Sequence, residues 1–234
     1  AGVETVNITA TDTSTTAAIN KATLTVSDAA AKTVVITGNA DLDLTASGAL
    51  LTLVDGSAAT GKLSFSSAVD SAVIKGGTTA DTLTATGTSQ TLNGGAGADT
   101  LVVTGNLTTL IGGAGNDLFD VSDATTNVNN YATITDLAAG DAIKFNSSSA
   151  AFAAAKVTLA DTAVFQDYAN AAIANAAQYT ISWFQYNGNT YVVQDVSNSS
   201  TTFTNGTDLI VKITGLVDLT TATLNTTTDT LYIQ

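Results

Sequence analysis

The chain has 234 residues and a formal net charge of −13, and it contains no histidine, cysteine, methionine or proline. We do not expect so acidic a chain to bind nucleic acid or an anionic membrane surface, because it has few cations with which to neutralise phosphates. The missing residue types exclude the usual zinc ligands, the serine–histidine and cysteine–histidine nucleophile pairs and any disulfide. Catalysis by carboxylates alone stays open, but the acidic residues follow a turn pattern and form no obvious facing pair, so we expect no enzyme within this chain.

The first residues, Ala1-Gly2-Val3-Glu4, include neither an initiator methionine nor a secretory signal, and no run of eighteen apolar residues occurs in the chain. These residues look like the middle of a repeat. We therefore expect a C-terminal fragment of a longer protein, with no membrane-inserted segment.

Short apolar patches recur along residues 3–121 and alternate with threonine or serine. This alternation has the period of a β-strand, and the intervening Gly, Asn, Asp and Ser favour turns. The spacing predicts a β-solenoid over residues 1–121, with two strands and two turns in each coil. The patches are Val6/Ile8, Leu24/Val26, Val34/Ile36, Leu42/Leu44, Leu51/Leu53, Leu63/Phe65, Val73, Leu83, Leu92, Leu101, Leu110 and Phe119.

A glycine–aspartate motif then repeats every 18 residues. The first glycine and the aspartate of each copy are Gly76 and Asp81, Gly94 and Asp99, and Gly112 and Asp117. A fixed repeat of this length indicates a stacked solenoid, and the second and third copies match the calcium-binding nonapeptide G-G-x-G-x-D-x-U-x. The first copy has Thr79 in place of the third glycine.

This pattern is well suited to calcium, which takes six to eight oxygen ligands from carboxylates and backbone carbonyls. Glycines let the backbone turn sharply, so that carbonyl oxygens point inward. Because stacked coils lie about 4.8 Å apart, one ion fits between two successive turns. We predict two pairs of half-shells, residues 94–99 with 112–117 and residues 76–81 with 94–99. A plain glycine turn with a solvated aspartate would explain a single copy, but three copies in phase favour a metal.

The opposite half of each coil repeats as well, from Gly87 to Gly105 and from Leu92 to Leu110, but it has no aspartate at the matching place. We therefore expect calcium along one edge of the solenoid and threonine-rich or uncharged turns along the other. Four earlier aspartates are either solvated turn carboxylates or part of a longer calcium ladder: Asp41, Asp43, Asp55 and Asp70.

The regular period ends after Val121, and a C-terminal subdomain is predicted over residues 122–234 to cap the solenoid. Residues 134–143 read as two short strands around an Ala-Gly-Asp turn. Residues 161–178 read as a helix, capped by Asp161 or Thr162. Its apolar face is Val164, Phe165, Tyr168, Ala172, Ile173 and Ala176.

A hairpin follows, with strands at residues 181–186 and 190–194 around Asn187-Gly188-Asn189. An Asn-Gly pair between aromatic and β-branched runs is a strong turn signal. Two further strands are predicted at residues 209–213 and 230–233. The complete prediction is an all-β fold with one helix.

The glycine–aspartate turns resemble RTX repeats. Other segments resemble parts of type I secreted proteins: residues 133–137 and 140–143 the segment after the repeats, and residues 183–191 a hairpin of their tails. Residues 206–211 and 214–219 resemble the ends of Gram-negative RTX surface-layer proteins, and the threonine-rich residues 3–9 look like their solenoid bodies.

The resemblance implies a right-handed parallel β-roll whose turns bind calcium through backbone carbonyls, with each aspartate bridging neighbouring ions. The implied ligands are Gly76, Gly77, Thr78 and Asp81, then Gly94, Gly95, Ala96, Gly97 and Asp99, then Gly112, Gly113, Ala114, Gly115 and Asp117. An extra site is implied around Asp136, although Ala132 stands where related proteins often have an aspartate. The family also carries an uncleaved C-terminal secretion signal, which residues 229–233 fit as well as they fit a plain final strand.

The resemblance implies a structural protein of the bacterial cell surface. It would leave the cell through type I secretion machinery, bind calcium outside and assemble with copies of itself into a surface-layer lattice. The alternatives are the calcium-binding export module of an extracellular protease or lipase, and an adhesin. An H-E-x-x-H or G-x-S-x-G motif upstream of this chain would favour the enzyme, whereas more threonine-rich repeats would favour the lattice.

Overall fold

The computed structural model describes residues 4–13, 21–124, 126–146, 151–174, 177–197 and 201–234. The chain divides into two compact units, Ala1–Leu118 and Phe119–Gln234. The predictions for residues 1–3 and for Ala176 lie outside the described residues.

The first unit is built from short strands that follow one another at regular intervals. They are β1 (Thr5–Ala10), β2 (Ala22–Ser27), β3 (Thr33–Gly38), β4 (Leu42–Ser47), β5 (Leu53–Ala59), β6 (Leu63–Ser67), β7 (Val73–Lys75), β8 (Thr82–Ala85), β9 (Thr91–Ala96), β10 (Thr100–Val103), β11 (Thr109–Ala114) and β12 (Leu118–Asp120), which spans the division. The odd-numbered strands β1 to β11 form one sheet in chain order, and the even-numbered strands β2 to β10 form another. Each strand pairs in parallel with the strand two places along the chain. The described part of this unit is therefore a parallel β-solenoid of about six coils, and the predicted solenoid fold is confirmed.

The solenoid core is a set of aliphatic columns, with one residue contributed by each coil. Leu83 and Leu101 pair across β8 and β10, and Leu92 and Leu110 pair across β9 and β11. All four side chains are buried. Burial of a leucine side chain stabilises a fold by about 1.5–3 kcal/mol, so these columns hold the coils in register.

Next to two of the apolar patches in the sequence lies a core residue that the pattern does not single out. Val54 and Ile74 point inward and are buried, whereas their neighbours Leu53 and Val73 pair with each other on the half-buried outer side. Each site has two consecutive apolar residues, so alternation could not identify the inward one. A shift of one residue places the opposite set of side chains in the core.

The second unit combines strands with a helix. Its elements are β13 (Ala132–Ile134), β14 (Ala142–Lys144), β15 (Ala151–Phe152), α1 (Phe165–Ala174), β16 (Thr180–Tyr186), β17 (Asn189–Gln194), β18 (Leu209–Ile213), β19 (Thr223–Asn225) and β20 (Thr230–Tyr232). Within this unit, one set of strands runs in the order β13-β18-β17-β16-β15, and another in the order β19-β20-β14. The segment predicted as two strands around one turn does form β13 and β14, but these two strands belong to different sheets.

The helix is shorter than predicted at both ends. It begins at Phe165, because the N–H of Val164 donates to Asp167 Oδ2 (2.9 Å) and so caps the first turn. Asp161 and Thr162 lie in a turn before it, and Gln178 lies in a turn after it. Side-chain capping by Asp167 therefore sets the start of the helix, in place of the predicted Asp161 or Thr162.

The predicted hairpin is present as β16 and β17, which pair in antiparallel fashion. Its turn is Asn187-Gly188 alone, with φ of 45° and 75°, and Asn189 already belongs to β17. Positive φ at both residues is the geometry that favours Asn-Gly in two-residue hairpins. One face of the hairpin packs Phe184 and Tyr191 against α1.

Candidate metal site

Three buried aspartates, spaced 18 residues apart, form a hydrogen-bonded ladder along one edge of the solenoid. Asp81 and Asp99 are each 1 % exposed and Asp117 is 3 % exposed. The Oδ1 atom of each accepts a backbone N–H from one coil earlier, from Leu63 (2.7 Å), Asp81 (2.7 Å) and Asp99 (2.9 Å) in turn. The sequence period therefore corresponds to direct stacking of the three carboxylates.

The ladder occupies a place that earlier coils fill with leucine. Leu42 and Leu63 pair across β4 and β6, and both are buried. Thr82 pairs with Ser64 in the next coil, so Asp81 takes the place of Leu63. The chain therefore changes from aliphatic to carboxylate side chains at one core position. A buried carboxylate is costly unless hydrogen bonds or a cation compensate it, so this change indicates a specialised site.

The glycines of the second and third turns have the same unusual backbone conformation. Gly95 and Gly113 have φ of 101° and 97°, and Gly97 and Gly115 have φ of 127° and 138°. A side chain would be strained in this region, and a Cβ on Gly113 or Gly115 would collide with a carbonyl oxygen one coil earlier. The sequence pattern thus produces two stacked turns with the same backbone course.

Between these two turns, a carboxylate and a carbonyl oxygen face one small space. A Cβ on Gly94 would lie within 3.0 Å of both Asp99 Oδ2 and the carbonyl oxygen of Gly112. Asp99 Oδ2 is buried and has no hydrogen-bond partner. Burial raises the pKa of Asp99 to about 6, and the charges of Asp81 and Asp117 act in the same direction. The site therefore contains a buried carboxylate oxygen without a hydrogen-bond donor, while the other oxygen of Asp99 accepts the N–H of Asp81, which lowers the pKa in part.

The first turn differs from the other two. Gly77 and Thr79 lie outside the left-handed region that Gly95 and Gly97 adopt. The N–H of Gly77 donates to Asp81 Oδ2, so both oxygens of Asp81 accept backbone hydrogen bonds. Burial nevertheless raises the pKa of Asp81, although these hydrogen bonds oppose the shift. The replacement of the third motif glycine by Thr79 therefore coincides with a different conformation of this turn.

The other sequence-predicted residues lie apart from the ladder or take other partners. Asp136 lies in the second unit, exposed, after β13. The four earlier aspartates bind neighbouring groups: Asp41 accepts the N–H of Lys62 (2.8 Å), Asp43 pairs with Lys21 (2.6 Å), Asp55 accepts the hydroxyl of Ser57 (2.6 Å), and Asp70 accepts the N–H of Thr88 (2.7 Å). The structure thus places these four outside the ladder position.

Sequence reasoning missed the polar contacts of the opposite edge. Ser71, Ser89 and Leu107, each 18 residues from the next, have φ of 60°, 58° and 55°. Beside them, the amide of the buried Gln90 donates to two backbone carbonyls and accepts one N–H. One coil later Thr108 takes its place, and the buried Thr108 Oγ1 has no hydrogen-bond partner. The available signal for this edge was the 18-residue spacing of Ser71 and Ser89, which continues to the apolar Leu107.

The donor set at the second and third turns suits a hard cation. Carboxylate and carbonyl oxygens are the groups that bind calcium, and glycines without Cβ atoms leave the space open. Among the described residues, no three His, Cys, Asp or Glu side chains converge on a possible metal position. An ion here would therefore take most of its oxygens from the backbone. Asp99, with Asp117 and the carbonyls of residues 94–97 and 112–115, would hold it.

The chain matches no protein-family model, and no curated protein matches it significantly. In the part of the chain that the structure describes, no helix has the length and apolar character needed to cross a membrane.

Proposed function

We propose that this chain is a calcium-binding structural component of a bacterial surface layer, exported by type I secretion and folded outside the cell. The observation that supports calcium binding most strongly is the buried, unpartnered Oδ2 of Asp99 beside the glycine turns. An uncompensated carboxylate is unfavourable in a protein interior, and a bound cation would remove that cost.

Calcium acts here by binding the folded form alone. Without the ion, the stacked carboxylates of Asp81, Asp99 and Asp117 repel one another and oppose folding of these turns. With the ion at 100 times its Kd, folding gains about 2.7 kcal/mol by mass action. A chain that is loosely folded where calcium is scarce suits export, and millimolar calcium outside the cell would then complete the fold.

The proposed partner is a second copy of the same chain in a surface lattice. The net charge of −13 makes copies repel one another until divalent cations reduce that charge. The regular solenoid supplies a rigid element for such an assembly. No catalytic role is proposed.

A calcium titration from a chelated start tests this proposal. We would follow β-structure by circular dichroism and assembly by sedimentation velocity. A gain of β signal followed by large ordered assemblies supports the surface-layer function. A folded, calcium-bound monomer favours the export module of an upstream enzyme, and specific binding to cells or glycans favours an adhesin. Unchanged β-structure and assembly after chelation contradict the calcium-dependent mechanism.

A further inference from the structure

The first two glycine–aspartate turns satisfy their carboxylates in different ways. In the first turn, Leu63 and Gly77 each donate a backbone N–H to Asp81, one to each carboxylate oxygen. In the second turn, Asp99 accepts the N–H of Asp81 on Oδ1, and its Oδ2 has no donor. The N–H of Gly77 therefore occupies, in the first turn, the role that a cation would have in the second.

The backbone supports the same distinction. Gly95 and Gly97 are both left-handed, whereas Gly77 and Thr79 are not. Left-handed φ is unfavourable for a β-branched residue such as threonine, so Thr79 favours the other conformation of this turn. A Cβ on Gly76 would nevertheless meet Asp81 Oδ2 and the Gly94 carbonyl, as one on Gly94 would meet Asp99 Oδ2 and the Gly112 carbonyl. The two turns therefore differ in backbone course and in the Gly77 N–H that already occupies Asp81 Oδ2.

Resting on the proposed calcium binding, we infer that an ion binds between the second and third turns, and that the first turn is a metal-independent template for them. In this inference the coils before Gly94 are held by apolar side chains, hydrogen bonds and ion pairs of the protein itself. Val54, Ile74 and Leu92 are each 1 % exposed or less. Calcium then adds the last coils, residues 94–118, onto an edge that is already folded.

This arrangement reduces the cost of calcium-dependent folding. A solenoid coil needs a neighbouring strand to pair with, and nucleation of the first coil is the expensive step. The chain supplies that neighbour through β7 and β8, whose register is fixed by Ile74 and Leu83. One ion can then complete the stack, without ions being required in every turn.

Two isosteric variants of the full chain separate the turns. In Asp99→Asn the new amide can donate toward the Gly112 carbonyl. We therefore expect a melting temperature in chelator at or above that of wild type, no change of melting temperature with calcium, and the loss of one bound calcium equivalent by calorimetry.

In Asp81→Asn one carboxylate oxygen becomes an amide nitrogen, so the N–H of either Leu63 or Gly77 loses its acceptor. We expect it to melt lower by the same amount with and without calcium and to keep every bound equivalent. Loss of an equivalent in Asp81→Asn would overturn the inference.

Hydrogen exchange of the unmodified chain gives a second test that does not depend on the folding of a variant. In chelator, amides of residues 94–118 should exchange at least about tenfold faster than with calcium, while those of residues 53–75 stay protected. Equal acceleration in both ranges would show that no template exists. A wild-type chain that binds no calcium, with exchange unaffected by chelator, would instead refute the proposed calcium function itself.

Discussion

The N–H of Leu63 donates to Oδ1 of Asp81 (2.7 Å), and these two residues occupy the same core-facing place in successive coils. The solenoid thus changes at this point from an aliphatic column to a column of carboxylates. The coil that contains Leu63 also has a glycine beside this position. This glycine is Gly56, and a Cβ on it would collide with the Leu63 side chain. Both kinds of coil therefore have an open space beside a glycine. A leucine that faces this space fills it with a methyl group, and an aspartate fills it with an oxygen.

This exchange has a clear energetic consequence. A buried leucine stabilises its coil by about 1.5–3 kcal/mol in any solvent, whereas a buried carboxylate stabilises a coil only when it is compensated. The coils that contain Leu42 and Leu63 are therefore intrinsically stable, and those with Asp99 and Asp117 depend on their environment. Along the solenoid, intrinsic stability therefore decreases toward the coils that carry the full glycine turns.

Substitution Gly94→Ala tests the proposed cradle directly. The added Cβ would lie within 3.0 Å of Asp99 Oδ2 and the Gly112 carbonyl, so it fills the space in which their oxygens converge. We expect calcium binding to be lost and the fold to be destabilised by about 1–3 kcal/mol through overpacking. Calorimetry with calcium and urea unfolding in chelator measure the two effects separately.

The matched control is Gly105→Ala on the opposite edge. Its Cβ would collide with the Gly87 carbonyl, so a comparable loss of stability is expected, but no carboxylate is among the atoms nearest to it. Calcium affinity should stay within about twofold of wild type. If Gly94→Ala bound calcium as tightly as this control, the cradle would not be the metal site.

Substitution Thr108→Gln should stabilise the opposite edge. Gln90, one coil earlier, bonds the carbonyls of Ser67 and Val69 and the N–H of Gly87, whereas the buried hydroxyl of Thr108 has no partner. A glutamine at position 108 would reach the equivalent backbone groups. We expect a gain of about 1 kcal/mol in the free energy of unfolding, measured in urea.

The reverse substitution, Gln90→Thr, is the control for this edge. It removes all three hydrogen bonds of the amide and should cost about 1–3 kcal/mol. A stability for Thr108→Gln below that of wild type would mean that the turn around Thr108 has no room for the amide.

The solenoid was predictable from sequence because its signal is a strict period. The spacing of Asp81, Asp99 and Asp117 fixed the stacking of the coils, and the structure shows their carboxylates in direct succession. The patches at Leu53 and Val73 did not reveal the inward residues Val54 and Ile74, because a period of two cannot choose between adjacent hydrophobic residues. Periodicity thus predicts how the coils stack more reliably than it predicts which face of each strand points into the core.

The difference between the turns was only partly readable from sequence. Thr79 marked the first copy as irregular, but the hydrogen bond from Gly77 to Asp81 depends on a backbone conformation that no motif encodes. In the second unit, the start of α1 was misplaced because Asp161, Thr162 and Asp167 are all good capping residues. Only the structure shows that Asp167 bonds to Val164.

Substitution Phe165→Ala should destabilise the second unit strongly. The Phe165 ring lies in edge contact with Phe184 (centroids 5.6 Å apart) and Tyr191 (4.8 Å), within the cluster that joins α1 to the hairpin. Because the ring is only half-buried, its removal should cost about 2–3 kcal/mol in urea unfolding, below the range for a fully buried phenylalanine. Val164→Ala, at a side chain that is 56 % exposed, is the control and should change stability by less than about 0.5 kcal/mol. Similar losses in both variants would show that the cluster does not stabilise the helix.

The pH dependence of the second unit should follow Asp195. This residue is 2 % exposed and its Oδ1 has no hydrogen-bond partner, and burial together with the charge of Asp208 raises its pKa to about 6. The ordinary value is 3.8, so between about pH 4 and pH 6 the folded form holds a proton that the unfolded form has lost. Stability contributed by this group is therefore present at low pH and is lost as the pH rises through 6.

Asp195→Asn should remove this dependence, because a neutral amide has no charge to desolvate. We expect the variant to be more stable than wild type at pH 7, by on the order of 2 kcal/mol, and similar to it near pH 4. Asp218→Asn is the control, since the N–H of Thr220 lowers the pKa of the exposed Asp218, and the sign of its small effect is opposite. Urea unfolding at several pH values in chelator separates this effect from metal binding. A parallel pH dependence for wild type and Asp195→Asn would show that Asp195 stays charged in the fold.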